Sequence, residues 1–149
     1  MKGYTSLSQS KKLAEILPIE SADMWWNFYS VTTDDTTPQI IHLDTPWVGN
    51  FNWDNKPDNV PCWSLAALMN LLPSEFTEKG EYSETTYKID IRKYALTDDV
   101  DIYQIAYGNY RWFKDGSNIW VDMVNSGERE ELIDAVFQMI CWLKENGKL

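Results

Sequence analysis

The clearest hydrophobic pattern in the chain lies near its C-terminus, between Glu128 and Asn146. At about 100° per residue, one set of apolar side chains falls on one side of a helix: Leu132, Ile133, Val136, Phe137, Met139, Ile140 and Leu143. Ser126 or Gly127 is suited to the N-terminal cap, and Gly147 is suited to ending the helix. We therefore predict a helix over residues 128–146 with one buried face.

Three shorter helices are predicted in the N-terminal half. The first spans residues 6–17 and ends before Pro18. A short helical turn follows over residues 20–26, with a serine as its cap. The third spans residues 61–72, because a proline suits its first turn and Pro73 follows its last.

Alternation of apolar and polar residues predicts strands in the C-terminal half. Residues 87–92 alternate apolar with charged side chains, which is the pattern of a strand with one face in water. Residues 102–107 and 110–114 are two further strands, separated by a Gly-Asn pair. An Asp-Gly pair at 115–116 predicts a hairpin turn into a strand at 119–124.

Residues 30–59 show no helical period and are interrupted by proline, glycine and repeated Asn and Asp. We expect a long irregular segment there with one short strand at 39–43, and long connections of this kind are often functional. With a charged loop at 74–83, the order of elements is helices, strands, helix. It predicts a single α+β domain over residues 1–149, in which a C-terminal helix and two or three N-terminal helices pack on an antiparallel three- or four-stranded meander.

Charge narrows the possible partners. The chain has 149 residues and a formal net charge of −10, from 13 Lys+Arg and 23 Asp+Glu. This charge repels the phosphate backbone and disfavours direct nucleic-acid binding. Within residues 20–59, Lys56 is the only basic residue among many acids, so an acidic surface there would attract a basic protein partner.

The cysteines and the hydropathy of the chain indicate the cellular compartment of the protein. Cys62 and Cys141 lie in apolar surroundings without the spacings of a disulfide framework, so we read both as core residues in a reducing compartment. No stretch approaches the roughly 20 apolar residues of a membrane span, and residues 1–10 lack the apolar core of a signal peptide. We expect a soluble, cytoplasmic protein without a membrane partner.

Three segments carry a resemblance to known sequences. They are Thr5-Ser6-Leu7 through Ala22-Asp23-Met24-Trp25-Trp26, then Pro61-Cys62-Trp63-Ser64-Leu65-Ala66-Ala67-Leu68 with Leu71-Leu72-Pro73, and Ala135-Val136-Phe137-Gln138-Met139-Ile140-Cys141-Trp142-Leu143 followed by Glu145-Asn146-Gly147. They resemble a group of small acidic proteins of Bacteroides-type gut bacteria, often encoded near phage or mobile-element genes. No activity is established for the group. The resemblance therefore implies a phage or mobile-element accessory protein and assigns no functional residue.

Catalytic and metal motifs are not evident in the sequence. His42 is the only histidine, so a catalytic pair would have to combine it with Cys62, Cys141 or Ser64, and no nucleophile motif surrounds any of these. A zinc site built on the same residues would lack a ligand. Residues 52–63 fail the calcium-loop pattern at the glycine and glutamate positions. We predict no metal, no cofactor and no catalytic residue.

Aromatic residues are crowded into the acidic segment. Trp47, Phe51 and Trp53, with Asp54 and Asp58, are the predicted binding residues, because tryptophan beside polar groups forms protein-binding hot spots and sugar-stacking platforms. The leading prediction is a non-enzymatic protein-interaction or accessory protein with an acidic, aromatic-rich surface and an unknown protein partner. The alternatives are a small hydrolase that uses loop carboxylates such as Asp54 and Asp58, and a carbohydrate-binding module. These aromatic residues could also serve only to cover the core.

Overall fold

A computed structural model describes residues 2–26, 28–31, 39–42, 47–48 and 60–149, and for the three short ranges between 28 and 48 it describes the backbone only. The chain divides into two compact units, Gly3–Ala67 and Met1–Lys2 with Leu68–Leu149. The prediction of a single domain stays a prediction.

Helix α1 spans Leu7–Ile16 and confirms the first predicted helix. Ser6 caps it: the Ser6 hydroxyl accepts a hydrogen bond from the Gln9 backbone N–H at 3.3 Å. The Gln9 side chain in turn accepts from the Ser6 N–H at 2.8 Å, which completes a capping box. The helix ends at Leu17, where the backbone is extended and precedes Pro18.

The segment predicted as a short helical turn is mostly extended, so that prediction is wrong in part. A 3₁₀ turn occupies Ile19–Ser21, and strand β1 follows at Met24–Trp26. Strand β2, Phe28–Val31, pairs antiparallel with β3, Gln39–His42. Strand β3 confirms the strand predicted at 39–43.

Strands β4, Trp47–Val48, and β5, Val60–Cys62, flank β1 antiparallel in a three-stranded sheet. The predicted irregular segment 30–59 therefore contains β4 and part of β2 besides β3. Its remaining residues, 32–38, 43–46 and 49–59, lie outside the described residues.

Helix α2 is shorter than predicted and spans Leu65–Leu71. Residues 60–62 are a strand because their backbone pairs with β1, which holds the proline at 61 in an extended conformation. The Ser64 hydroxyl accepts a hydrogen bond from the Ala67 N–H at 3.1 Å, as a helix N-cap does.

The second unit contains a four-stranded antiparallel sheet in the order β6-β7-β8-β9. Its strands are β6, Glu75–Lys79; β7, Glu84–Thr97; β8, Val100–Trp112; and β9, Asn118–Asn125. This meander, with the C-terminal helix packed on it, confirms the α+β prediction. Strand β6 replaces half of the loop predicted at 74–83, because Phe76 is the only apolar residue of the strand and gives no alternation to detect.

Helix α3 spans Leu132–Glu145, and eight of its residues are buried. It begins four residues later than predicted, because the backbone of Arg129 pairs with Tyr103 of β8 through bonds of 2.7 and 3.0 Å. Gly147 has φ +64 and ends the helix as predicted. Among the described residues, no helix is long and apolar enough to cross a bilayer.

Candidate functional site on the open face of the sheet

The two faces of the four-stranded sheet are built differently. Alternate residues of β8, Tyr103, Ile105 and Tyr107, are buried on the side of α3. On that side the Phe76 ring lies 5.0 Å from the ring of Tyr107 and 6.2 Å from that of Trp142 in α3. The opposite side is named the open face. It carries charged, polar and aromatic side chains around two small residues of β8: Lys88, Asp90, Arg92, Tyr94, Gln104, Ala106, Gly108, Tyr110, Trp120 and Asp122.

Small residues of β8 form the centre of the open face. Ala106 and Gly108 stand between larger residues of β7 and β9. A Cβ at Gly108 would lie 2.8 Å from the Trp120 indole and 2.4 Å from the Val121 carbonyl oxygen. The glycine therefore allows the indole to lie across β8. The predicted break between two strands at this glycine is wrong, because a glycine within a strand can mark a close approach of this kind.

Arg92 crosses the open face from β7 to β9. Its Nε donates to Asp90 Oδ2 at 2.6 Å, and its two terminal nitrogens donate to the Asp122 carboxylate at 2.5 and 2.9 Å. One of those nitrogens also donates to Gln104 Oε1 at 3.0 Å. The fork of the guanidinium matches the two oxygens of a carboxylate, so this geometry fixes three strands relative to one another.

Asp122 is held in its charged form. The Arg92 guanidinium and then the Trp120 indole N–H, which donates to Asp122 at 2.7 Å, lower the pKa of Asp122 despite partial burial. Asp122 and, to a smaller degree, Asp90 raise the pKa of Arg92. A general acid needs a raised pKa to deliver a proton near neutral pH. The chemistry of Asp122 therefore fits a structural or binding role.

A groove of about 820 Å³ runs along the open face. Its aromatic lining is Tyr94, Tyr110 and Trp120, and its polar lining includes Lys88 and the network around Arg92. The rings of Tyr110 and Trp120 meet edge to face at 5.3 Å and 80°. Ligand sites commonly combine this kind of volume with aromatic walls and a few fixed polar groups.

Beyond the groove, the sheet divides into two ribbons. Pairing between β7 and β8 ends at Lys88 and Gly108, after which β7 continues along β6 and β8 continues along β9. The ribbon of β8 and β9 over residues 109–121 is named the aromatic hairpin. Its exposed large side chains are Tyr110, Trp112, Phe113 and Ile119, and Trp112 is 72% exposed.

The turn of the aromatic hairpin is well defined. Phe113 N–H donates to the Ser117 carbonyl at 2.9 Å, and Gly116 N–H donates to the Phe113 carbonyl at 3.0 Å. Gly116 has φ +83, a conformation that suits glycine. The Asp115 carboxylate accepts from both the backbone N–H and the hydroxyl of Ser117, and these bonds lower its pKa. The Asp-Gly turn was predicted, and this geometry confirms it.

A second, smaller cavity of about 410 Å³ lies near the other end of β8. It is lined by Lys93, Asp99, Val100, Asp101, Tyr103, Glu130 and Glu131. Lys93 pairs with Asp101 at 2.7 Å, and both side chains are about half exposed. Within the described ranges, no group of three or more metal-ligating side chains stands close enough together to hold a metal ion.

The binding residues predicted from the sequence lie almost entirely outside the described part of the chain. Trp47 is the exception, since its backbone pairs with Trp25 in the small sheet. Phe51, Trp53, Asp54 and Asp58 lie outside the described residues. Their assignment as a binding surface stays a prediction.

Ser64, Cys62 and Cys141, the candidate nucleophiles of the sequence, take part in capping or in the core. Ser64 donates to Asp23 Oδ2 at 2.5 Å while it caps α2. Both Cys62 and Cys141 are buried, as the sequence predicted. Burial raises the pKa of the Cys62 thiol, and this opposes thiolate formation. His42 lies in β3, where only the backbone is described.

Sequence reasoning missed the open face, although two signals for it exist. One is the charged set at alternate positions of β7, which was read only as a solvated face. The other is Gly108 inside a strand, followed by a tryptophan on the next strand. In comparisons with known proteins, the chain matches no family model, no curated protein and no solved structure.

Proposed function

We propose that this chain is a cytoplasmic, non-enzymatic interaction protein, and that the aromatic hairpin is the element that docks into a protein partner. The observation that carries the proposal is the set of large side chains exposed on one short ribbon, Tyr110, Trp112, Phe113 and Ile119. Tryptophan and tyrosine are enriched among the residues that dominate binding energy at interfaces. A partner with an apolar pocket fits this set.

The shape of the hairpin supports the same role. Its turn is closed by backbone hydrogen bonds and by the Asp115 side chain. A rigid loop loses little conformational entropy on binding, so more of the contact energy appears as affinity. The Trp112 side chain is already exposed on this closed hairpin.

The charge of the hairpin differs from that of the rest of the chain, and this difference would favour one orientation of a protein partner. Arg111 and Lys114 lie at the hairpin beside one carboxylate, Asp115, on a chain whose formal net charge is −10. The hairpin is therefore less acidic than the chain as a whole, and this difference would orient a partner in the encounter. The resemblance to phage and mobile-element proteins suggests a bacterial host protein as the class of partner.

Site-specific photo-crosslinking tests the proposal. A photoreactive phenylalanine analogue replaces Trp112 in one variant and Tyr82, which is 91% exposed on another loop, in a matched control. In host cells we expect a discrete cross-linked protein with the position-112 probe and not with the position-82 probe. The protein identified in this way is then purified for direct binding measurements.

Substitution at the hairpin provides the quantitative test. Trp112→Ala is expected to weaken binding of the purified partner by about 30-fold or more, because hot-spot tryptophans contribute at least about 2 kcal/mol. Tyr82→Ala is expected to leave the affinity unchanged. Equal cross-linking from both positions, or a dissociation constant that Trp112→Ala does not alter, would contradict the proposal.

A further inference from the structure

The groove on the open face includes the base of the aromatic hairpin but not its exposed tip. Trp112 and Phe113 do not line it, whereas Trp120 and Tyr110 do. The indole of Trp120 rests over Gly108, and its N–H is fixed by the Asp122 carboxylate. The orientation of the Trp120 indole is therefore set by the protein before any ligand arrives.

The charges around the groove balance one another. Its two cations, Lys88 and Arg92, face two carboxylates, Asp90 and Asp122. Arg92 is occupied by both carboxylates and by Gln104. A strongly anionic ligand therefore finds no guanidinium fork to bind, and a cationic ligand finds no excess of acids. This balance suits a neutral ligand.

Polar groups remain available beside the aromatic surface. Arg92 bonds to Asp90 through Oδ2, and within the described residues no hydrogen bond is seen to Asp90 Oδ1. A carboxylate has about four lone-pair positions, so Asp90 can accept from ligand hydroxyls while it stays paired with Arg92. The exposed Lys88 side chain supplies donors near the same end of the groove.

From these features we infer that the open face binds a neutral carbohydrate. A pyranose ring has an apolar C–H face that packs on an indole and a rim of hydroxyl groups that need fixed donors and acceptors. The Trp120 indole, bordered by Tyr110, would pack on the C–H face of the sugar. Asp90 and Lys88 would bind its hydroxyl groups. The volume of about 820 Å³ is within the roughly 300–1,000 Å³ range of small-molecule sites.

The experiment uses the full-length chain and soluble neutral oligosaccharides of glucose, mannose, galactose and xylose, each four to six units long by choice of reagent. Binding is followed by the NMR signals of the indole N–H groups, with the Trp120 signal assigned from Trp120→Phe. We expect at least one of these sugars, at millimolar concentration, to shift the Trp120 signal in a saturable way. A charged oligouronate of the same length is expected to bind at least about tenfold more weakly.

Variants separate a built site from a general surface effect. Asp90→Asn keeps the shape of the side chain and is expected to weaken the sugar by about tenfold, because a charged acceptor becomes a neutral one. Tyr110→Ala is expected to weaken binding as well. Tyr82→Ala is the matched control and should leave binding unchanged, because Tyr82 is 91% exposed on the loop between β6 and β7. Circular dichroism verifies that each variant is folded.

Three results would overturn this inference. The first is that no neutral sugar moves the Trp120 signal. The second is that Asp90→Asn and Tyr110→Ala, both folded, bind as the parent does. The third is that a bound protein partner, and not a sugar, is what shifts this signal. The first two outcomes leave cross-linking from position 112 untouched, and the third would support docking at the aromatic hairpin, so failure of the sugar site and failure of the docking proposal are distinguishable.

Discussion

The two faces of strand β8 differ in the size of their side chains and in what stabilises them. On the side of α3, Tyr103, Ile105 and Tyr107 are large and almost fully buried. On the open face, the central residues Ala106 and Gly108 are small, and side chains from both neighbouring strands lie across them. One face gains stability from apolar burial, and the other gains fixed geometry from a charged and aromatic network.

This difference shows how a site can be placed on a stable sheet. Hydrophobic burial is roughly proportional to area and has no direction, so it tolerates some change of side-chain shape. The Arg92 network depends on direction, because each donor must meet its acceptor at the correct angle. The helix side can thus hold the strands in place while the open face holds polar groups in position for a ligand.

The largest effect is expected on the helix side. Ile105→Ala removes a side chain that is fully buried, and loss of transfer energy together with the resulting cavity should lower the free energy of unfolding by about 2–5 kcal/mol. Urea denaturation followed by circular dichroism measures the change. Ile119→Ala is the control, because Ile119 is 55% exposed and its truncation should cost no more than about 0.5 kcal/mol. Similar losses in the two variants would remove the contrast between the faces.

A smaller effect is expected at the centre of the open face. Gly108→Ala places a methyl group 2.4 Å from a backbone oxygen and against the Trp120 ring, so the hairpin must shift. Overpacking of this kind costs about 1–3 kcal/mol, and the NMR signal of the Trp120 indole N–H should move as its bond to Asp122 is disturbed. Gly3→Ala is the matched control, because no atom lies within 4 Å of its added Cβ. An unchanged indole signal in folded Gly108→Ala would show that the glycine does not position Trp120.

The helix side was accessible from the sequence and the open face was not. The sequence of α3 predicts which face of the helix is buried, because seven apolar residues repeat at helical spacing. Burial requires only that these residues be apolar. The strand at 87–92 was also found by its alternation. The boundaries were less accurate where a long-range contact decides them, as for Arg129, whose pairing with Tyr103 delays the start of α3.

The network of the open face depends on register, which sequence spacing does not reveal. Arg92 and Asp122 are 30 positions apart, and they meet only because β8 lies between their strands with small residues at the crossing. In the sequence, Arg92 has the same appearance as any exposed cation of a half-buried strand. The binding residues predicted from the sequence were selected because aromatic and acidic residues are crowded there: Trp47, Phe51, Trp53, Asp54 and Asp58. They remain a separate prediction.

The smallest expected effect has the clearest pH signature. The pKa of Asp122 is lower in the folded chain than in the unfolded chain, chiefly because of Arg92, so the unfolded state takes up a proton first as pH falls. The stabilisation is therefore complete above the unfolded pKa of about 4 and is lost progressively below it. Asp122→Asn should lower the free energy of unfolding at pH 7 by about 1–2 kcal/mol, the magnitude of a hydrogen bond to a charged group on a side chain that is 23% exposed.

Urea denaturation of parent and variant between neutral and acidic pH measures this difference, which should shrink as the pH falls below about 4. Asp98→Asn serves as control, because Asp98 is exposed at the turn between β7 and β8. Its substitution should change the free energy of unfolding at pH 7 by no more than about 0.5 kcal/mol. If Asp122→Asn retained the full acid sensitivity of the parent, the carboxylate would be stabilised no more by Arg92 than by water. The open face would then owe its shape to packing alone, and the contrast with the helix side would disappear.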